Sequence, residues 1–157
     1  MNPETILEVL ILDFRLQGYD RAVFSLILQK INTITMKIKT GIGIDIHRLE
    51  PGLDFWLGGI KLEHEKGCVA HSDGDVLIHA ICDALLGAAG LDDIGVYFPD
   101  TDPAYKGIDS KILLKKVIDM IEDKGFAIGN IDCVICLQRP KIKMRTLEMR
   151  ECLSEIM

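Results

Sequence analysis

Lys37-Ile38-Lys39-Thr40-Gly41-Ile42-Gly43-Ile44-Asp45-Ile46-His47 is the stretch whose pattern sets the fold. Ile42, Ile44 and Ile46 alternate with Gly41, Gly43, Asp45 and His47, the period-two signature of a half-buried strand. One face is aliphatic and the other is small, then polar. The stretch predicts the opening strand of a domain beginning at Met36. Residues 1–35 carry Leu, Ile and Val without sustained periodicity. They lack the basic start of a secretory signal and the Arg/Ser-rich, acid-poor composition of a transit peptide, so they are read as an extension or an upstream start.

Working outward, Phe55 to Leu57 and Ile60 to Leu62 around Gly58-Gly59 predict a short hairpin. A helix is expected from Asp73 to Ala89, with Ser72 as N-cap, Asp75 completing a capping box, and Gly90 past its end. Leu77, Ala80, Ile81, Ala84 and Leu85 form its expected core stripe. A second helix spans Ser110 to Lys124, an apolar strand Ile131 to Leu137, and a third helix begins near Met144, with the chain ending inside it. Strands interleaved with helices predict an α+β fold, an α/β sandwich with one helical layer on a sheet.

The 157 residues are 48% hydrophobic and 27% charged, enough for one domain with a buried core. No apolar run reaches the roughly 20 residues that span a bilayer, so no membrane partner is expected. The net charge of −6 argues against broad binding to nucleic acid. Five cysteines, Cys68, Cys82, Cys133, Cys136 and Cys152, make an odd count that suits a reducing, cytoplasmic setting. They are expected to be buried structural thiols rather than ligands. Cys133 and Cys136 sit three apart on a predicted strand and point to opposite faces, and no second Cys-x-x-Cys completes a zinc site.

Asp45 and His47 project from the same strand face, as two metal ligands must. With His79 on the first helix they offer one carboxylate and two imidazoles, a set that suits zinc with an open fourth position. Asp75 or Asp83, one turn to either side, could orient the His79 ring. On spacing alone a solvated strand end and a surface histidine are more economical, because nothing local shows that strand and helix meet. His71-Ser72-Asp73-Gly74-Asp75 offers a hydroxyl and free N–H groups at a helix start, an anion site or simply a cap. The acidic loops Asp92 to Gly95 and Phe98 to Pro103 read as solvated turns, or as carboxylates for sugar hydroxyls or magnesium. Gln138-Arg139-Pro140-Lys141 places two cations at a strand end.

Together, Gly43-Ile44-Asp45-Ile46-His47, Ala70-His71-Ser72-Asp73-Gly74-Asp75-Val76-Leu77-Ile78-His79, Asp83-Ala84-Leu85-Leu86-Gly87-Ala88-Ala89, Asp93-Ile94-Gly95, Phe98 to Gly107, Asp109-Ser110, Gly129-Asn130-Ile131-Asp132 and Gln138-Arg139-Pro140-Lys141 resemble one family in order. That family is the 2-C-methyl-D-erythritol 2,4-cyclodiphosphate synthases of the non-mevalonate isoprenoid pathway. The resemblance covers residues 36 to about 150. It implies a homotrimer with a mixed sheet facing a central channel, helices on the other face, and active sites between subunits. It also implies a phosphorus–oxygen lyase that cyclises 4-diphosphocytidyl-2-C-methyl-D-erythritol 2-phosphate and releases CMP.

Carried over by position, Asp45, His47 and His79 bind zinc or a similar divalent cation, and Asp45, Ile46 and His47 border the substrate. His71 is catalytic and, with Ser72, holds the attacking phosphate. Asp93, Ile94, Gly95, Phe98, Pro99, Asp100, Thr101 and Asp102 contact the sugar portions of the substrate. Leu137, Gln138, Arg139, Pro140, Lys141, Ile142 and Lys143 form a cytidine pocket contributed by a neighbouring subunit. Family members continue past Met157 into strands with a Thr-Thr-Glu stretch, whose Glu binds a second cation, magnesium or manganese. On this expectation residues 36–157 are a C-terminally truncated domain behind an unmatched segment, 1–35. The alternatives are a non-catalytic zinc- and nucleotide-binding remnant, or a zinc-dependent phosphohydrolase.

Overall fold

The computed structural model describes residues 38–157, and the expected extension over residues 1–35 lies outside them. The first ladder pairs β1 (Leu49–Pro51) antiparallel with β4 (Lys66–Cys68). The second pairs β2 (Phe55–Leu57) with β3 (Ile60–Leu62), setting Phe55 opposite Leu62 and Leu57 opposite Ile60. Gly58 and Gly59 form the two-residue loop with φ of 63° and 80°, the primed turn whose twist matches a hairpin. Phe55, Leu57, Ile60 and Leu62 all point inward, while Lys61 faces solvent.

Helix α1 (Val76–Ala89) starts later than the sequence predicts because Asp75, not Ser72, is its N-cap. The fully buried Asp75 carboxylate accepts N–H bonds from Ile78 at 3.1 Å, Gly58 at 2.9 Å and Gly59 at 2.6 Å. One side chain thus caps the helix and ties the hairpin turn to it. The Ile78 N–H is therefore not free to meet an anion. Gly90 closes α1 in the left-handed conformation, φ 71°, as its position predicts.

Two shorter helical pieces follow, α2 (Ile94–Tyr97) and a 3₁₀ turn at Pro103–Tyr105. Helix α3 (Ser110–Asp123) is capped by Asp109 and buries Leu113, Leu114, Val117, Ile118 and Ile121. Helix α4 (Thr146–Ile156) buries Met149 and Leu153. The core joins the hairpin, α1, α3 and α4 around Leu57, Ile78, Leu86, Leu114 and Met149. Each large aliphatic side chain buried there contributes roughly 1.5–3 kcal/mol.

The α+β class holds, with two small antiparallel ladders as the strand component among the described residues. Neither residues 38–48 nor Ile131 to Leu137 forms a ladder, so two expected strands are corrected. Gly41 and Gly43 of the first lie against α1, and Ile131, Ile135 and Leu137 of the second pack on the core. The first also inverts its expected burial: Ile42, Ile44 and Ile46 are 82%, 72% and 87% exposed. Its glycine face is the one that packs. A Cβ at Gly41 would overlap the Ala84 carbonyl, and one at Gly43 the Ala80 carbonyl. Cys68 and Cys82 are buried as expected, whereas Cys133 and Cys136 are exposed.

Candidate metal centre

The close approach of residues 41–43 to α1 brings strand-like and helical ligands together. Asp45 Oδ2 lies 3.0 Å from His79 Nδ1, and Asp45 Oδ1 lies 3.1 Å from His47 Nδ1. Among the described residues these three form a group whose ligand atoms all fall within 4.8 Å of one another. His47 Nδ1 is buried and, though close to Asp45 Oδ1, meets it outside hydrogen-bond geometry, so a polar atom aimed into the cluster has no hydrogen-bond partner. A divalent cation fits that orphan and the mixed carboxylate–imidazole set. Burial pushes the Asp45 carboxyl up, but the His79 hydrogen bond and the His47 and His79 charges outweigh it and hold its pKa below 3.8. The carboxylate therefore stays ionised, as a ligand must.

His71 and Ser72 stand beside this cluster. Pairing of the 71–73 loop with residues 107–108 places them, through Gly107 N–H to the His71 carbonyl at 2.7 Å and Asp73 N–H to the Ile108 carbonyl at 3.0 Å. His71 Nε2–H donates to the Asp102 carbonyl at 3.2 Å, which fixes the ring. Ser72 Oγ lies 3.1 Å from His79 Nε2 and accepts from Gly74 N–H at 3.2 Å. A cavity of about 300 Å³ opens between them, lined by His47, His71, Ser72, His79, Ile94, Phe98, Asp100 and Tyr105, among others.

The acidic loop contributes only in part. Ile94, Phe98 and Asp100 reach the cavity, whereas Asp93, Gly95, Pro99, Thr101 and Asp102 are not among its lining residues. Asp93 caps α2 by accepting from Gly95 and Val96 N–H, and the Asp102 carboxylate caps the 3₁₀ turn. The Ile46 side chain points away into solvent. Leu137 to Lys143 lie outside the cavity of their own chain: Leu137 and Ile142 pack on the core, and Gln138, Arg139, Lys141 and Lys143 are exposed.

The expected orienters of His79 are corrected. Asp75 is committed to the hairpin turn and α1 cap, and Asp83 accepts from Ile94 N–H at 2.8 Å. The groups at His79 Nε2 are two hydroxyls, Ser72 and Ser110, the latter at 2.9 Å. Ser110 lies 31 residues from His79 in sequence, and nothing local signalled the contact.

A family model, the YgbB family, matches residues 38–157. The 2-C-methyl-D-erythritol 2,4-cyclodiphosphate synthase of Bacteroides fragilis is 60% identical over 122 residues, 78% of this chain and 77% of that protein. A solved 2C-methyl-D-erythritol-2,4-cyclodiphosphate synthase in its CDP-bound form superposes with a TM-score of 0.72 at 40% identity, covering 76% of this chain and 79% of that one. The bifunctional IspDF of Campylobacter jejuni gives 0.74 at 40% identity, over 78% of this chain and 33% of that one. By sequence match, shared fold and the residues gathered at its candidate metal centre, the chain belongs to the YgbB family of 2-C-methyl-D-erythritol 2,4-cyclodiphosphate synthases.

Proposed function

We propose that this chain is an isoprenoid-pathway lyase that cyclises 4-diphosphocytidyl-2-C-methyl-D-erythritol 2-phosphate, with release of CMP. The observation that carries the reading is the convergence of Asp45, His47 and His79 with His71 and Ser72 on one cavity. An oxygen of the 2-phosphate attacks the β-phosphorus, the bond from that phosphorus to the bridging oxygen breaks, and CMP leaves with that oxygen. Nucleophile and electrophile share one molecule, so the protein's task is to fold the substrate and neutralise phosphate repulsion.

Asp45, His47 and His79 would hold the cation, with zinc the choice that best suits the donor set. When bound, it supplies Lewis-acid polarisation of the diphosphate. His71 and Ser72 hold the attacking phosphate, and His71 stabilises charge that develops in the transition state. Within Asp93 to Gly95 and Phe98 to Asp102, the cavity-lining Ile94, Phe98 and Asp100 meet the sugars first, and the other residues of these loops stand beside them.

Leu137 to Lys143 lie off the cavity of their own chain, which supports their delivery to a neighbouring subunit's site in a homotrimer. The outward Ile42, Ile44 and Ile46 support a covered face there. Among the described residues no helix is long and apolar enough to cross a membrane. The odd cysteine count supports a cytoplasmic setting.

Phosphorus NMR of the full chain with the cytidyl substrate, zinc and magnesium tests the activity. The cyclic diphosphate and CMP are expected to appear together. Folded, zinc-loaded protein that forms neither overturns the catalytic reading. His71→Ala is expected to keep zinc and lose turnover about 100-fold or more, as removal of a charge-stabilising donor does.

A further inference from the structure

Ser110 is fully buried at the start of α3, between two polar groups 37 and 31 residues away in sequence. Its hydroxyl donates to Asp73 Oδ1, and its backbone N–H donates to Asp73 Oδ2 at 2.9 Å. The Asp75 N–H also donates to Asp73 Oδ1, at 3.2 Å. An ionised carboxylate can only accept, and three donors already converge on this one. With its proton committed to Asp73, Ser110 Oγ can only accept from His79 Nε2, 2.9 Å away.

That direction puts a hydrogen on His79 Nε2 and leaves Nδ1 as the ring atom open to a metal. Nδ1 is the atom that faces Asp45 Oδ2 at 3.0 Å. In the metal-free chain a hydrogen on Nδ1 would be donated to that carboxylate, and a shared cation would take its place.

We propose that Ser110, held by Asp73, is a positioning residue that keeps a hydrogen on His79 Nε2 and thereby presents Nδ1 to the metal. This rests on the metal reading of Asp45, His47 and His79. The same direction frees Ser72: a protonated Nε2 cannot accept from its hydroxyl, whose oxygen already accepts from Gly74 N–H. The Ser72 proton is left to donate to a phosphate oxygen. Ligating histidines commonly need such a partner on the second ring nitrogen, and its loss typically costs about 10- to 100-fold in metal affinity.

The test combines nitrogen NMR of the histidine rings in the metal-free full chain near pH 8 with zinc titration against a competing chelator. Wild-type His79 is expected to carry a hydrogen on Nε2. Ser110→Ala is expected to mix the two tautomers and raise the zinc dissociation constant about 10- to 100-fold. A wild-type ring protonated at Nδ1 and not at Nε2 overturns the proposal, and needs no variant to fold. So does a Ser110→Ala protein that binds zinc more weakly with an unchanged tautomer, the result of a merely structural role. A wild-type chain that binds no zinc refutes the metal reading instead, while its ring spectrum still decides the direction of the hydrogen bonds.

Discussion

The hairpin from Phe55 to Leu62 and the segment from Ile38 to His47 are both written as alternating sequences, yet they bury opposite faces. In the hairpin the apolar side chains turn inward and Lys61 outward. In the segment Ile42, Ile44 and Ile46 face solvent, and Gly43, Asp45 and His47 face α1. Alternation states which side chains share a face, and the neighbour's shape decides which face is covered. Beside α1 the space admits only a glycine backbone, so the small face goes in and carries the polar ligands with it.

The comparison is broken most directly by one change made in both places. Leu57→Asp puts a carboxylate into the core, where Leu57 is 1% exposed, and should cost more than about 4 kcal/mol. Ile44→Asp, on a side chain 72% exposed, should change the unfolding free energy of the isolated subunit by at most about 0.5 kcal/mol. Urea unfolding measures both, and similar losses would mean that the isoleucine face is buried after all.

Asp75→Ala sharpens the hairpin side. Three buried N–H groups lose their acceptor, so a loss of about 3 kcal/mol is expected in the same assay. Gly43→Val sharpens the other side: the added side chain must lift the segment off Ala80 and part Asp45 and His47 from His79. Zinc affinity should fall about 100-fold, close to 2.8 kcal/mol, by chelator competition. If sedimentation finds wild type trimeric, Ile44→Asp should shift it toward monomer, and an intact trimer would place the contact elsewhere.

The smallest effect is chemical. Burial, with the Asp75, Asp45 and Asp73 charges, pushes the Cys68 thiol up to about 11, so it stays protonated near neutral pH. Burial and the neighbouring Asp83 and Asp75 raise Cys82 as well. Iodoacetamide at pH 8 should modify the exposed Cys133 and Cys136 first, with Cys68 labelling accelerating as pH rises toward 11. Equal rates at all four positions would contradict the burial pattern.

The local rules legible in the chain were those whose cause is local. Gly58-Gly59 demanded a primed turn, Gly90 a left-handed helix end, and Asp45 and His47 a common face. The helix start was misplaced because Ser72 and Asp75 are both good caps. What separated them was the hairpin turn, which arrives from residues 58–59 to claim the Asp75 carboxylate. The strands expected at residues 38–47 and 131–137 carry the right periodicity, but a ladder needs a neighbouring backbone, which periodicity does not supply.

The sequence by itself determined the α+β class, the helices and the hairpin, because spacing and residue chemistry specify these within a few turns of chain, while Asp45, His47 and His79 stood out as a ligand set only through the family resemblance. Only the tertiary structure decided that the ligands meet, that the isoleucines face outward and that Ser110 rather than Asp75 or Asp83 attends His79. Those outcomes depend on how closely α1, α3 and the 38–48 segment approach one another. That distance is set by packing across the whole domain, and no local stretch encodes it.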